Sequence, residues 1–362
     1  MKKLFFFLSL GVIIFFSGCY DQQVFENTAI IIYAGAESST DNRILFSFGA
    51  TENEDRKGKL RILSKRDKLM ENAIATLNAN TEDPLREGKI QHILFSEELA
   101  EKGISKVPDT NRLEASNRFL ADYVITEGSP KELMKVLQTK ELKSNAYGYL
   151  GELLENAASA GLCPNTLYHE FNIDLNTEGI DPILPLITYN SKKETITVKG
   201  TALFDEDRMT GILNTVESRY LSLLTASAEN VTVKIPNLTS ETKDITLHIC
   251  DMNEKTKVNV KNDTVYITLN LRLTSFFNAG DWATLSDKSK SSITKKTEKT
   301  VARRCEKIFH DLQKCNADPF AVEASLRGYH NEFYQTHNGK EAYRYAIVKV
   351  IVHNHILNQK SV

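Results

Sequence analysis

The sequence predicts a multi-domain α+β protein. An N-terminal α/β part is followed by a largely antiparallel sheet packed by one long helix. Three observations carry this expectation. Short β-branched runs alternate with amphipathic stretches up to about residue 192, the alternation of a mixed α/β layer. Thr264 to Phe277 holds a strict period of two, with Val265, Ile267, Leu269, Leu271 and Leu273 on one side and Tyr266, Thr268, Asn270, Arg272 and Thr274 on the other. A strand of that pattern packs one face and wets the other. Residues 287–315 then repeat apolar residues at helical spacing, through Val301, Cys305, Ile308, Leu312 and Cys315.

Taken in order, the chain begins with Lys2-Lys3, an apolar run from Leu4 to Phe16, and Ser17-Gly18 before Cys19. A basic start, an apolar centre and a small-residue cleavage site make a secretory signal. A cysteine directly after Ser-Gly gives it the form of a bacterial lipoprotein signal. Residues 1–18 are then removed, and the Cys19 thiol carries a diacylglyceryl group at the mature N-terminus. The apolar run of about 13 residues spans roughly 20 Å as a helix, short of the roughly 30 Å hydrocarbon core. Two acyl chains anchor a protein stably where one binds only marginally.

Thr28–Ala34 and Ile44–Phe48 read as strands, with a charged, glycine-containing loop from Gly49 to Lys59. Arg66–Asn78 reads as a helix with Leu69, Ala73, Ile74 and Leu77 on one face. Ile90–Phe95 is a short strand. Ser96 then caps a brief helix that has Glu97 and Glu98 early, Lys102 late and Gly103 closing it. Arg112–Phe119 reads as a helix and Ala121–Thr126 as a strand. Pro130 opens a helix to Gln138, and another runs from Asn145 to Ala160, stopped by Gly161. Pro182, Pro185 and the Ser191-Lys192-Lys193 turn place the main boundary near 192, dividing the mature chain into 19–192 and 193–362.

In the second part, Thr195–Phe204 alternates with Ile196, Val198, Ala202 and Phe204 on one face. It turns through Asp205-Glu206-Asp207 into Met209–Leu213, a hairpin. Asn214–Ala226 is helical, and strands follow at 231–235, 244–250 and 255–260. After the long helix come a shorter one, from about Pro319 to Gly328, and a last strand from Ala346 to Ile356. That strand has Val348, Val350 and Val352 on one side.

The composition excludes several function classes. A formal charge of −2, which becomes −4 once Lys2 and Lys3 are removed, gives no reason to expect nucleic acid. Four cysteines beyond Cys19 are too few for a disulfide scaffold. Cys305 and Cys315 lie about 15 Å apart on one helix, beyond the roughly 7 Å a disulfide allows. No nucleophile elbow, zinc-helix pair, phosphate loop, dinucleotide motif or Cys-x-x-Cys occurs, so no cofactor or catalytic residue is assigned. Asp174, Asn176, Glu178 and Gly179 imitate a calcium loop, but Pro185 stands where its closing Glu belongs, and the segment reads as a turn. His353 and His355 share a strand face with Lys349, whose charge opposes a metal. Lys288, Lys290, Lys295, Lys296, Lys299, Arg303 and Arg304 form a basic stretch, read as the solvated face of the long helix.

Several segments in order resemble one family. These are Cys19-Tyr20-Asp21; Gly88-Lys89-Ile90 through His92; Glu97 to Ile104; Arg112, Arg118 and Tyr123-Val124; Gly200-Thr201-Ala202-Leu203-Phe204; Arg208 to Leu213 with Glu217; and Asp318-Pro319-Phe320. Together they are similar to the C subunit, Ger(x)C type, of spore nutrient-germinant receptors. Tyr20, Ser96 and the final strand through His353 and His355 depart from that pattern. The resemblance implies a lipoprotein on the outer face of the spore inner membrane. It would be a non-catalytic partner of a transporter-like subunit and of a second subunit with a large soluble part. The competing expectation is an extracytoplasmic solute-binding lipoprotein, which the long alternating strands disfavour.

Overall fold

The computed structural model describes residues 28–41, 43–51, 60–105, 107, 120–144, 148–236, 245–277 and 286–357. The signal segment, Cys19 and the helix expected at Arg112–Phe119 lie outside them.

The first layer is a nine-stranded mixed sheet. It contains β1 (Ala29–Ser38), β2 (Ile44–Thr51), β3 (Leu60–Asp67), β4 (Leu85–Arg86), β5 (His92–Ser96), β6 (Asp122–Thr126), β7 (Ile183–Asn190), β8 (Thr195–Asp205) and β9 (Arg208–Asn214). The order is β3-β2-β1-β5-β6-β7-β8-β9, with β4 beside β1. Its centre is parallel and its flanks are antiparallel hairpins. Parallel strands need cover on both faces, and helices supply it. On one side lie α1 (Met70–Asn78), α2 (Glu97–Lys102) and, later in the chain, α5 (Tyr168–Asn176), packed over Phe46, Phe48, Tyr123 and Phe204. On the other lie α3 (Pro130–Ser144) and α4 (Tyr149–Ser159), packed over Tyr33, Leu94, Val124 and Ile187.

The second layer is a four-stranded sheet of β10 (Val231–Ile235), β11 (Ile245–Lys261), β12 (Thr264–Phe277) and β13 (Ile347–Ile356), in that order. The first three are antiparallel, and β13 returns parallel to β12. That return needs a long crossover, which α7 (Asp287–Lys314), α8 (Val322–Tyr329), α9 (Asn331–Thr336) and α10 (Gly339–Arg344) provide. The buried Val265, Ile267, Leu269 and Leu271 of β12 meet Val301, Cys305, Ile308 and Leu312 of α7. Between the layers, α6 (Thr215–Thr225) adds Tyr220, Leu221 and Leu224 to the same core, joined by Leu203 and Leu213 from the first sheet.

The structure bears out the α+β class, the Ser96 cap, which accepts from the Leu99 N–H, and the Thr264–Phe277 strand with its buried face. It corrects other expectations. The expected loop after β2 is followed by a strand, β3, and β7, α5, α9 and α10 are further unexpected elements. Residues 174 and 176, read as part of a turn, finish α5. The two strands expected at 244–250 and 255–260 are one strand, β11, because a bulge between Ile249 and Asp251 lets it bend without ending. A second bulge splits the expected face of β8. Leu186 pairs with Gly200 but Ile187 with Val198, so Ile196 and Val198 pack against the α3–α4 side while Ala202 and Phe204 pack against the α1–α5 side. Residue 192 lies in the tight turn between β7 and β8.

Strand β13 is an edge, and an edge offers unpaired N–H groups to any passing strand. Here α7 covers it in register. Glu306 Oε1 accepts from the Val350 N–H at 3.1 Å and Glu298 Oε1 from the Asn354 N–H at 2.9 Å. Eight helical residues rise about 12 Å and four strand residues about 13 Å, so the two spacings match. A hydrogen bond to a charged acceptor contributes about 1.5–3 kcal/mol. Glu298→Ala or Glu306→Ala should each lower stability by about 1–2 kcal/mol in urea unfolding, and the double variant should self-associate in sedimentation velocity. A monomeric double variant with an unchanged midpoint would show that the carboxylates do not guard the edge.

Candidate functional site

Four of the segments that carry the family resemblance, Glu97 to Ile104, Gly200 to Phe204, Arg208 to Leu213 and Asp318-Pro319-Phe320, meet around one turn, Asp205-Glu206-Asp207, between β8 and β9. From α2, Gly103 ends the helix at φ 106°. A Cβ there would stand 2.6 Å from an Asp207 carboxylate oxygen, so glycine is required both for the backbone angle and for the close approach. Ile104 N–H donates to the Asp207 carbonyl at 3.0 Å, and the Ser105 hydroxyl donates to its carboxylate. From the other side, Thr210 Oγ1 donates to the Cys315 carbonyl at 2.8 Å, and Gly211 leaves room for the Cys315 thiol.

At the centre is Asp181, 4% exposed. Its Oδ1 accepts from the Glu206 N–H at 2.7 Å and its Oδ2 from the Asp318 N–H at 2.9 Å. Its own N–H donates to the Asp318 carbonyl at 3.0 Å. One carboxylate thus joins the first sheet's hairpin to the turn after α7. Asp318, in the Asp-Pro-Phe segment, is 3% exposed and spends its oxygens on the next turn of chain. Oδ1 accepts from Phe320 N–H at 3.2 Å and Oδ2 from Glu323 N–H at 2.9 Å. Lys340, from α10, pairs with Asp205 and approaches Glu206 at 3.4 Å and Asp181 at 4.0 Å. Tyr343 closes the base, donating to the Ala317 carbonyl at 2.6 Å.

Burial pushes the Asp318 carboxyl up to about 7 against its three backbone donors, with Asp181 adding to the rise. Burial also raises Asp181, opposed by the N–H groups of Glu206 and Asp318 and by Lys340. Burial alone would lower Lys340, but its bond to Asp205 and the charges of Asp181 and Glu206 outweigh it and keep the ammonium charged. Beside the cluster, a cleft of about 500 Å³ is lined by Glu178, Asp181, Glu206, Glu323, Tyr334 and Lys340. Its acids already have partners: Glu178 with Arg327 and Tyr334, Glu323 with Tyr334. The arrangement is a linchpin of backbone-anchored carboxylates. It presents no nucleophile beside a free base.

The other candidates take ordinary places. Among the described residues no three His, Cys, Asp or Glu side chains gather as a metal site. Asp174 sits in the last turn of α5, where burial and the nearby Glu170 push it up to about 6, so the calcium-loop likeness has no structural counterpart. His353 and His355 are exposed on β13. Four cysteines are free, and burial pushes the Cys163 thiol up to about 12 and Cys305 higher still, far from a reactive thiolate. His92 is buried, stacked on Tyr33 at 5.2 Å, with Nδ1 2.8 Å from the Asp122 carboxylate. Glu217 is the third residue of a capping box, accepting from the Asn214 N–H at 3.1 Å. The linchpin itself escaped the sequence reading. Asp181 and Asp318 are 137 positions apart, and only the Asp-Pro-Phe segment hinted at one of them.

Two germination-type family models match the chain in series. A family model described as "Spore germination protein N-terminal domain" matches residues 21–189, and one described as "Spore germination B3/ GerAC like, C-terminal" matches 199–360. The chain belongs to this Ger(x)C family of spore germination proteins, the C subunits of nutrient-germinant receptors, whose role is nutrient-triggered germination. Spore germination protein GerQC of Bacillus cereus is 21% identical over 355 residues, covering 97% of this chain and 96% of that protein. The putative spore germination protein YfkR of Bacillus subtilis (strain 168) is 20% identical over 236 residues, 63% of this chain and 59% of that one. The crystal structure of the GerBC protein shares the fold, with a TM-score of 0.60 at 12% identity, over 90% of this chain and 97% of that chain.

Because the folded Asp318 carboxyl lies above its unfolded value near 4, the native state holds the extra proton between about pH 4 and 7. The sign follows: this stabilisation is complete below pH 4 and is lost as pH rises through about 7. In wild type the urea midpoint should carry a falling component across that window, and in Asp318→Asn this component should disappear. An identical pH slope in both proteins would remove Asp318 as its source.

Proposed function

We propose that this chain is a non-catalytic, lipid-tethered subunit of a nutrient-germinant receptor, acting as a body on which membrane-embedded partners assemble. The observation that carries the reading is the register of its two halves. The N-terminal family model starts at residue 21, two positions past Cys19, so the germination domains begin where a lipoprotein signal would end. Cys19 is the lipid attachment site, holding the domains at the extracytoplasmic face of the spore inner membrane. Among the described residues no helix is long and apolar enough to cross a membrane, and a tether of this kind needs none. A transporter-like subunit and a second subunit with a large soluble part are the protein partners. Receptor assembly, not turnover of a substrate, is the activity.

The solute-binding alternative requires two similar parallel-sheet lobes around a cleft. A nine-stranded mixed sheet beside a four-stranded sheet with a different order does not supply that symmetry.

Cys19→Ala in spores should shift the chain from the membrane to the soluble fraction and reduce nutrient-triggered germination to the level of a strain lacking the subunit. Germination triggered by a non-nutrient route should stay unchanged. Full membrane retention and normal nutrient response in Cys19→Ala spores would overturn the tether.

A further inference from the structure

We infer that the uncovered face of the four-stranded sheet is a docking surface for anionic phospholipid headgroups, so that the domain lies against the membrane to which it is proposed to be tethered. The inference rests on that tether for its local concentration but on independent residues for its chemistry.

Helices cover one face of this sheet, and the opposite face is left to solvent among the described residues. Its rungs are fixed by register: Lys257 beside Thr268 beside Lys349, and Asn253 beside Arg272 beside His353. Lys255 and Lys261 add to the β11 rows, so five fixed cations stand against one carboxylate, Asp251, on these rows. The whole chain carries 47 acidic and 45 basic residues, so the excess is local. None of the five has a carboxylate partner among the described residues.

Its shape favours a planar partner. From the Asn259–Tyr266–Ile347 rung to the Asp251–Thr274–His355 rung the face runs eight residues, roughly 27 Å. The β13 edge, one place where a bound strand could pair, is occupied by α7. Tyr266 is 38% exposed opposite Ile347 at 51%. Exposed tyrosine and aliphatic side chains next to lysines are the mixture that sits at a headgroup boundary. At the other end a cleft of about 500 Å³ gathers Arg272, His353, His355 and Thr274, with Asp251 and Glu298 as its acids. From Cys19 to Thr28 the chain spans at most about 30 Å, so a tethered domain samples the bilayer continuously and even weak attraction per lysine orients it.

The test uses the lipidated chain on vesicles of phosphatidylcholine alone and of phosphatidylcholine mixed with phosphatidylglycerol, with amine labelling of individual lysines read by mass spectrometry. Flotation with the neutral vesicles reports the tether alone. Labelling of Lys255, Lys257 and Lys349 should slow at least about threefold on the anionic vesicles only, and recover in high salt. Lys257→Glu with Lys349→Glu should abolish the protection of Lys255, whereas Lys65→Glu with Arg66→Glu, an equal charge change on β3, should not. Equal labelling on both vesicle types overturns the proposal. So does protection that survives the Lys257/Lys349 reversal, or protection that needs an added acidic protein subunit in place of anionic lipid. A chain that fails to float on neutral vesicles loses the tether, and its face is then scored by salt-sensitive protection on the anionic ones.

Discussion

Everything in this fold depends on how the Asp181 carboxylate is satisfied. It sits almost out of water between two sheets that share little hydrogen bonding, and its two oxygens accept from the Glu206 and Asp318 backbone N–H groups. A buried charge stripped of its partners costs several kcal/mol. The hairpin of the first sheet and the turn after α7 therefore cannot separate or rotate without stranding it. Hydrophobic contact through α6 brings the layers together, and it is nearly indifferent to small slips. The carboxylate is directional, and it fixes their relative position.

The same junction gathers several family segments that lie far apart along the chain. Gly103 and Ile104 close α2 against the hairpin turn, Gly211 leaves room for Cys315, and Asp318 organises the start of α8. Each is an ordinary helix end, strand or turn when taken alone. Only the folded chain shows that they share one place. Their common requirement is close backbone approach, for which glycines and short carboxylates are suited and bulky side chains are not.

What was legible in sequence follows from range. The Ser96 cap, the stripe on α7 and the alternation of β12 are set by residues within a few positions of each other, so periodicity and capping chemistry reveal them. The bulge in β8 was hidden because Val198 and Ala202 look alike apolar; only pairing with β7 shows that Lys199 is the extra residue that moves Ile196 and Val198 to the opposite face. Strand β3 was hidden because Arg61, Lys65 and Arg66 suit an exposed edge and mask its β-branched and leucine content. The Asp181 linchpin was invisible for the strongest reason. A buried carboxylate hydrogen-bonded only to backbone N–H groups, with Lys340 no nearer than 4.0 Å, leaves little in the side-chain pattern for a reader of the sequence to find.

Under the proposed role, this construction bears on how such a subunit can serve a receptor. A component that couples partners must carry a displacement from one contact to another without absorbing it, and packed apolar surfaces alone tolerate sliding. Here each way of shearing the layers breaks hydrogen bonds to Asp181 and exposes or strands its charge, so small relative motion is opposed more steeply than area burial would oppose it. The edge guard does the same locally for the cationic sheet. By binding β13 in register, α7 fixes the orientation of that surface relative to the junction. Under the proposed role, a push received by one layer reaches the other as rotation of a single body, with the membrane-facing sheet as its bearing.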